Sequence, residues 1–315
     1  MLKNEEKESA FAPYLRNPFI IAAVAMFCCA LWGSATPCIK IGYQLMRPDA
    51  SVASTVLFAG LRFFFAGILT VVIFSIARRK LLYPKLRNTG RVLTVSLFQT
   101  VLQYIFFYMG LSLTSGVKGT IASGSGAFFA ILMASLVFRQ EKLGWKKALA
   151  CVLGFSGIVV INLDGLELTA ELGDLFVIIS AIAYATSTVL MKRFSKYEDP
   201  VVISGYQFIV GGAVMIAGGL IFGGYVKIES VGAVLMLAYL ALLSALAYSL
   251  WGILLKYNPV SKVSIYNFMT PVFGVLLSWL MLTEASKVSV TNVIISLLLV
   301  CAGIILLNYR KDSKK

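Results

Sequence analysis

Ten long apolar stretches, separated by short polar segments, dominate the sequence. Backbone N–H and C=O groups in hydrocarbon must be satisfied within the segment itself, so a helix of about 20 largely apolar residues is the unit that crosses a bilayer. We therefore predict an all-α membrane protein with ten transmembrane helices. Their predicted ranges are 19–44, 52–77, 91–113, 118–138, 146–163, 172–193, 201–224, 232–255, 262–282 and 290–308.

The composition excludes a water-soluble protein. Hydrophobic residues make up 59% of the chain and charged residues only 13%, and the mean hydropathy is +0.87. Soluble domains, by contrast, carry about 25% charged residues. The short segments between the predicted spans leave no room for a soluble domain, so function is expected within the helical bundle.

The net charge of +14 is distributed unevenly along the chain. If the N-terminus is cytoplasmic, 22 of the 28 Lys and Arg fall in inner segments and four in outer ones, while Lys40 and Arg62 lie within spans. This positive-inside bias predicts that both termini are cytoplasmic, in a multi-pass protein of a bacterial plasma membrane. The bias also accounts for the charge without any binding of nucleic acid.

The chain offers little for covalent chemistry or metal binding. It has no histidine, its five cysteines fall within predicted spans without metal-ligand spacing, and no Asp or Glu lies in the interior of a span. We therefore predict no metal, no cofactor and no catalytic residues, and hence no enzyme. The first apolar run has the full length of a span and lacks a cleavage site of small residues, so we expect no cleavable signal.

The two halves of the sequence align with each other. The matched pairs are Trp32 and Tyr184, Thr36 and Thr188, and Lys40 and Lys192 in spans one and six, and Gly60 and Gly205, Arg62 and Gln207, Phe63 and Phe208, and Gly67 and Gly212 in spans two and seven. Because each half has an odd number of spans, the second half would enter the membrane from the opposite side, giving two inverted five-helix repeats. The predicted organisation is a cytoplasmic tail (1–18), repeat one (19–166), repeat two (167–309) and a basic cytoplasmic tail (310–315).

Four motifs in order along the chain carry a family resemblance. They are LWGSATPCIK in span one, Arg62 followed by aromatic residues in span two, FRQEKLGWKKALACVLGFSGIVVI, and FMTPVFGVLLSWLMLTEAS. Over about residues 19–310 the chain resembles the EamA-type family of the drug/metabolite transporter superfamily. The resemblance implies a ten-helix inverted-repeat fold with a central cavity, and export or exchange of small metabolites, often amino acids. The family often has a proline in span four as in span nine, whereas only Pro271 occurs here and Phe128 stands at the corresponding position.

Arg62 lies near the middle of span two, where a charge needs an explanation. An Arg at the centre of a transmembrane helix costs about 2.5–3.5 kcal/mol on insertion scales. It either faces an aqueous cavity and attracts an anionic group, or donates to carbonyl groups of neighbouring helices and stabilises the fold. Since the resembling family often has Arg here across unlike substrates, we favour the structural interpretation.

Polar and aromatic side chains follow several spans at helical spacing and predict a lining for an amphipathic substrate. The same residue types are also favoured at contacts between transmembrane helices, which is the alternative interpretation. Pro37 and Pro271 predict kinks that could serve as gates. The candidate substrate-binding residues are Trp32, Thr36, Arg62, Gln99, Gln103, Tyr184, Thr188, Gln207, Tyr248, Trp251 and Asn267.

These features predict a transporter of a small organic metabolite that works by alternating access between the two halves. Lacking interior acids and histidine, it is expected to transport without proton coupling, with Glu141 and Glu284 as candidate carboxylates only at the membrane edges. One alternative is a carrier of quaternary ammonium compounds with an aromatic cage, and another is a receptor or scaffold. The expected partners are a small-molecule substrate and the lipid bilayer, with the chain a monomer or homodimer.

Overall fold

The computed structural model describes residues 12–46, 49, 51–111, 113, 116–163, 172–281 and 289–308. All regular secondary structure in these residues is helical. The helices are α1 (Pro18–Met46), α2 (Val52–Ala77), α3 (Thr89–Ser96), α4 (Gln103–Leu111), α5 (Gly116–Leu132), α6 (Trp145–Ile161), α7 (Leu172–Phe194), α8 (Pro200–Ile221), α9 (Val231–Tyr257), α10 (Val260–Ser264), α11 (Met269–Met281) and α12 (Val290–Asn308).

Several helices begin where the sequence supplies a capping side chain. Ser51, Asp199 and Ser230 precede α2, α8 and α9, and each accepts a hydrogen bond from a backbone N–H in the first turn, at 3.1, 2.8 and 3.1 Å. Pro200 is the first residue of α8, where its fixed φ suits the helix and its missing N–H costs no helical bond. These polar residues therefore set helix starts within otherwise apolar sequence.

Three spans contain helical turns that are not α-helical. A π-helical turn (Leu97–Leu102) joins α3 to α4, and a second one (Met133–Val137) ends α5. A 3₁₀ turn (Ile265–Phe268) joins α10 to α11. Such turns commonly mark functional positions or hinges within a helix.

Within the described residues, eight helical segments are long and apolar enough to cross a membrane, which agrees with a multi-pass membrane protein. They are Pro18–Met46, Val52–Ala77, Leu86–Gly110, Leu172–Phe194, Pro200–Ile221, Val231–Tyr257, Val260–Ser278 and Val290–Asn308. The other two predicted spans, 118–138 and 146–163, correspond to α5 with its π-helical turn and to α6. The apolar helix Ala122–Val137, formed by part of α5 and its π-helical turn, and the 17 residues of α6 are shorter than the others. The count of ten spans therefore stays a prediction.

Helices α2 and α8 are packed backbone to backbone through glycines. A Cβ atom added at Gly67 would lie 2.5 Å from the carbonyl oxygen of Gly205, and one added at Gly212 would lie 2.9 Å from that of Gly60. No larger residue fits at this distance, which is the usual role of small residues between transmembrane helices. Gly60 precedes Gly205 by the same number of positions as Gly67 precedes Gly212. The two contacts are therefore reciprocal.

Helices α6 and α12 form a second reciprocal contact. A Cβ atom at Gly157 would lie 2.9 Å from the carbonyl oxygen of Ser296, and one at Gly303 would lie 2.8 Å from that of Ala150. Ala150 and Ser296 are separated by the same number of positions as Gly157 and Gly303. The close contacts of α2 with α8 and of α6 with α12 thus each occur as a reciprocal pair.

One end of the bundle is tied together by polar contacts; we name it the basic end, because it holds the Arg- and Lys-rich segment 78–91. There Glu198 is buried and its Oε2 accepts hydrogen bonds from the Lys85 N–H and the Asn88 amide, both at 2.9 Å. Arg78 pairs with Asp199. These contacts fix the segment between α2 and α3 against the segment between α7 and α8.

Glu141 forms a further tie at the basic end. Its Oε1 accepts a hydrogen bond from the Ser261 N–H at 3.1 Å, and its Oε2 pairs with Lys147 Nζ at 2.6 Å. The neighbouring Gln140 donates from Nε2 to the carbonyl of Val189 at 3.2 Å. The carboxylate of Glu141 therefore joins the end of α5 to the start of α10, whereas Glu284 lies outside the described residues.

Candidate functional site

A cavity of about 190 Å³ lies among helices of both halves. This volume is below the roughly 300–1,000 Å³ of pockets that hold drug-sized ligands, so it suits a small compound. The described residues that line it are Trp32, Ala35, Thr36, Ile39, Arg62, Gln103, Tyr104, Phe107, Tyr108, Ser123, Ser180, Ala181, Tyr184, Tyr248, Asn267 and Thr270. Helices α1, α2, α4 and α5 supply one side, and α7, α9 and the α10–α11 segment supply the other.

The structure brings seven of the eleven predicted site residues to this cavity. They come from six different helical segments, so only the folded bundle places them together. These residues are Trp32, Thr36, Arg62, Gln103, Tyr184, Tyr248 and Asn267.

The other four predicted residues are buried behind the described lining. Gln207 Oε1 accepts a hydrogen bond from Thr100 Oγ1 at 2.6 Å, which ties α8 to the π-helical turn that also holds Gln99. Thr188 donates to the carbonyl of Tyr184 at 3.0 Å, and Trp251 packs with its edge against Trp32. Contacts between helices account for Gln207 and Trp251, whereas the bond of Thr188 lies within its own helix. None of the four is among the described lining residues, so we do not expect them to touch a substrate in this cavity.

The two proline residues are not among the described lining residues, although each directly follows one, Thr36 or Thr270. Pro37 is buried in the interior of α1, as predicted. Pro271 is the third residue of α11, which continues without a break from the 3₁₀ turn Ile265–Phe268. A proline has no N–H to donate, and its ring clashes with the carbonyl of the residue four positions before it, which is Asn267 in this turn. The irregular turn therefore lies where Pro271 is expected to disturb the helix, beside the cavity.

Aromatic rings form much of the cavity wall and hold one another in place. Trp32 meets Tyr248 edge-on with ring centroids 5.1 Å apart, and the hydroxyls of Tyr248 and Tyr104 share a hydrogen bond of 2.7 Å. Phe63 packs against Tyr104 at 4.3 Å. Such packed pairs favour a preformed wall rather than a set of mobile rings.

The sequence-based prediction missed several lining residues on α4. Tyr104, Phe107 and Tyr108 follow Gln103 on the same helix, and Tyr104 shares a face with Phe107 and Tyr108 at helical spacing. That spacing was visible in the sequence, but α4 is so apolar throughout that its pattern did not indicate which side faces the cavity. In the same way, Ser180 lies one turn before Tyr184.

Arg62 has both a structural contact and a place on the cavity wall. Only 3% of the residue is exposed, and its Nε–H donates to the carbonyl of Leu240 at 3.3 Å and to Ser244 Oγ at 3.1 Å. This bond ties α2 to α9, as the structural interpretation predicts. Yet Arg62 also lines the cavity, where it is the single charged side chain among the described lining residues.

Three other lining residues carry a buried polar atom without a hydrogen-bond partner in the described part of the chain. These atoms are the indole N–H of Trp32, the amide oxygen of Gln103 and the hydroxyl of Tyr184. A buried polar group without a partner costs about 1–3 kcal/mol, so each gains free energy when a polar ligand or water reaches it. These three atoms lie too deep for a water-sized probe, so a ligand reaches them only when neighbouring side chains move aside.

A bundle of membrane-spanning helices around a small polar and aromatic cavity defines an integral, multi-pass membrane protein with room for a small molecule at its centre. The EamA-like transporter family matches residues 19–163 and, a second time, residues 171–309, so the chain belongs to this family. The family resemblance of the sequence motifs is confirmed, and the protein is a membrane transporter.

Several known proteins are similar to this chain over most of its length. Two proteins of Bacillus subtilis (strain 168), the uncharacterized transporters YoaV and YvbV, are 24% and 25% identical, covering 90% and 96% of this chain and 95% of each relative. A WAT1-related chloroplastic protein of Arabidopsis thaliana is 23% identical over 80% of this chain, which spans 61% of that relative's length.

One solved structure, described only as the crystal structure of a protein, supports the fold. It superposes with a TM-score of 0.76, covering 91% of this chain and 96% of its own, at 17% sequence identity. At this identity the likeness concerns the fold alone.

Proposed function

We propose that this transporter moves small organic metabolites, in particular amino acids or related amphipathic compounds, across a bacterial plasma membrane by alternating access. The observation that carries the proposal is the cavity itself, which combines one cation, two amides and a wall of aromatic rings contributed by both halves of the chain. Rings suit an apolar side chain, while Arg62, Gln103 and Asn267 suit polar ends. Export and exchange are the directions that fit the family.

The reciprocal glycine contacts support an inverted repeat. When two helices are related by a two-fold axis, every contact between them occurs twice. If residue i of one helix contacts residue j of the other, the symmetry-related counterparts of i and j contact each other as well. The α2–α8 contacts of Gly67 with Gly205 and of Gly212 with Gly60 follow this rule. So do the contacts of α6 with α12. We propose that the two halves rock against each other about this axis, with the termini cytoplasmic and the chain a monomer or homodimer.

The contacts at the basic end support a state in which that end is closed. Glu141 joins α5 to α10, and Gln140 joins the same segment to α7, so both side chains link the first half to the second. In alternating access, these bonds break when the cavity opens toward the basic end. Helix pairs that slide at Gly67 and Gly212 would allow this movement without unpacking the bundle.

The composition of the cavity wall disfavours transport of quaternary ammonium compounds. Trp32, Tyr184 and Tyr248 could form part of an aromatic cage, but Arg62 lines the same cavity and repels a cation. Among the described lining residues no carboxylate offsets this charge. The same composition of the described lining is in keeping with the proposed transport without proton coupling.

The test is transport by the purified protein in proteoliposomes. A panel of labelled amino acids and organic cations is offered with and without a pH gradient, and protein-free liposomes serve as the control. We expect uptake or exchange of one or more amphipathic amino acids down their own gradient, unchanged by the pH gradient. Transport of organic cations alone, or of no member of the panel, would contradict the proposal.

A further inference from the structure

We propose that Arg62 is the anion-binding group of the cavity, and that the compounds it recognises are carboxylates for which an ammonium group is not required. This inference rests on the proposed transport function and names the feature of the substrate that the cavity selects. Three observations on the described residues carry it: the charge balance of the cavity, the use of the guanidinium donors, and the nature of the remaining polar atoms.

The charge balance of the cavity favours an anion. Arg62 is 3% exposed, and no acidic side chain in the described part of the chain forms an ion pair with it. Its acceptors, the carbonyl of Leu240 and the hydroxyl of Ser244, are neutral. An uncompensated cation in a low-dielectric site is unfavourable until an anion binds beside it. The single negative charge of a carboxylate balances the single positive charge of Arg62. A phosphate carries nearly two negative charges, so it would leave an excess of negative charge in the cavity.

The donors of the guanidinium are divided between the fold and the cavity. Arginine has five N–H donors, and the hydrogen bonds to Leu240 and Ser244 use Nε–H alone. The terminal amino groups make no hydrogen bond to a described residue, and Arg62 belongs to the cavity wall. The Nε–H bond and the Phe63 ring, 5.1 Å from the guanidinium carbon, hold the group in one orientation. A planar donor pair held in this way suits the two oxygens of a carboxylate.

The other polar atoms of the wall do not build a site for a cation. The amide oxygen of Gln103 is buried and has no hydrogen-bond partner among the described residues, so once a ligand reaches it, it can accept from an ammonium or from any other donor. It is neutral, however, and Arg62 opposes any positive charge in the same cavity. The carboxylate therefore contributes most of the polar recognition, and an ammonium group contributes little.

The first experiment uses the wild-type protein and matched pairs of ligands. Binding of 3-phenylpropionate and 4-methylpentanoate is compared with that of their amides, which have nearly the same shape but no charge, and with that of 2-phenylethylamine. Binding is measured by tryptophan fluorescence or calorimetry on purified protein in lipid nanodiscs. We expect each acid to bind roughly tenfold or more tighter than its amide, since a charge-assisted pair is stronger than a neutral one. We expect the amine to bind worst.

The second experiment assigns the preference to Arg62. Arg62→Gln should bring the acid-to-amide ratio of affinities close to one, while Arg62→Lys should retain part of it because the charge remains. Lys40→Gln is the matched control, since it removes a cation of α1 that lies outside the described cavity lining. Melting curves establish that each variant is folded; if Arg62→Gln is not, the wild-type comparison still decides.

The outcomes separate this inference from the proposed function. Acids and amides that bind or are transported equally well by the wild type would overturn the role of Arg62 and leave a transporter of amphipathic compounds. Tighter binding of the amine than of the acids would also overturn it. No binding of any amino acid, acid, amide or amine would count against the proposed function and this inference together.

Discussion

Substitution of Gly212 by alanine should destabilise the protein through the contact between α2 and α8. The added Cβ would lie 2.4 Å from the backbone N of Phe64 and 2.9 Å from the carbonyl oxygen of Gly60. An ordinary contact needs at least 3.4 Å, so the two backbones must separate by about 1 Å. Overpacking of this kind costs about 1–3 kcal/mol, and here neither partner atom belongs to a flexible side chain. The separation would also shift Arg62, two residues from Phe64, relative to its acceptors on α9.

The matched control is Gly218→Ala in the same helix, because a Cβ at that position meets nothing within 4 Å. Alanine favours a helix over glycine by up to about 1 kcal/mol, so this variant should be as stable as the wild type or more stable. Thermal unfolding of both variants in detergent, followed by tryptophan fluorescence and by loss of monodisperse protein, gives the comparison. Equal melting temperatures for Gly212→Ala and Gly218→Ala would refute the close packing of α2 on α8.

Three further predictions concern the site, the basic end and the topology. Trp32→Ala should weaken substrate binding several-fold, since a packed aromatic contact contributes about 0.5–1.5 kcal/mol beyond its buried area. Trp145→Ala, at a residue that is 69% exposed, should leave the affinity unchanged. Equal affinities in the two folded variants would remove Trp32 from the site. Glu141→Gln should lower the melting temperature by breaking the ion pair with Lys147, yet leave transport independent of a pH gradient. If a proton gradient drives substrate accumulation by the wild type and this variant abolishes it, Glu141 does not have a purely structural role. A single cysteine in place of Lys196 should be labelled only from the cytoplasm, and one in place of Lys227 only from outside. Labelling of both positions from the same side would contradict the predicted topology.

The long helices were predictable because membrane-spanning segments are fixed by length and hydropathy alone. The predicted spans 19–44, 52–77 and 172–193 match helices Pro18–Met46, Val52–Ala77 and Leu172–Phe194 to within a few residues at each end. The π-helical turn Leu97–Leu102 was not predicted, since it depends on tertiary contacts. There Thr100 donates to Gln207 and packs against Gly211 of α8, and no local pattern in the sequence specifies such a partner.

The cavity could be predicted only in part because polar residues in a membrane bundle have two uses. Gln103 and Asn267 line the cavity, whereas Gln207, of the same chemical kind, satisfies Thr100 at a contact between helices. In hydrocarbon both positions require a polar partner, so periodicity and residue type are the same for both. Only the relative rotation of neighbouring helices distinguishes them, and that rotation is set by close contacts such as the one at Gly212.

Arg62 shows that the structural and the binding interpretation of one residue are compatible with each other. A guanidinium has several donors that point in different directions, so one side chain can stabilise a helix contact and still present charge to a cavity. Here the Nε–H bond to Leu240 and Ser244 satisfies the structural interpretation, while the position on the cavity wall leaves the terminal amino groups for a ligand. Ser244 lies four residues before Tyr248 on α9, and Tyr248 is itself part of the wall. If an anion binds Arg62 as we propose, it acts on a group that is already bonded to α9, and its binding would then be linked to the contact between α2 and α9.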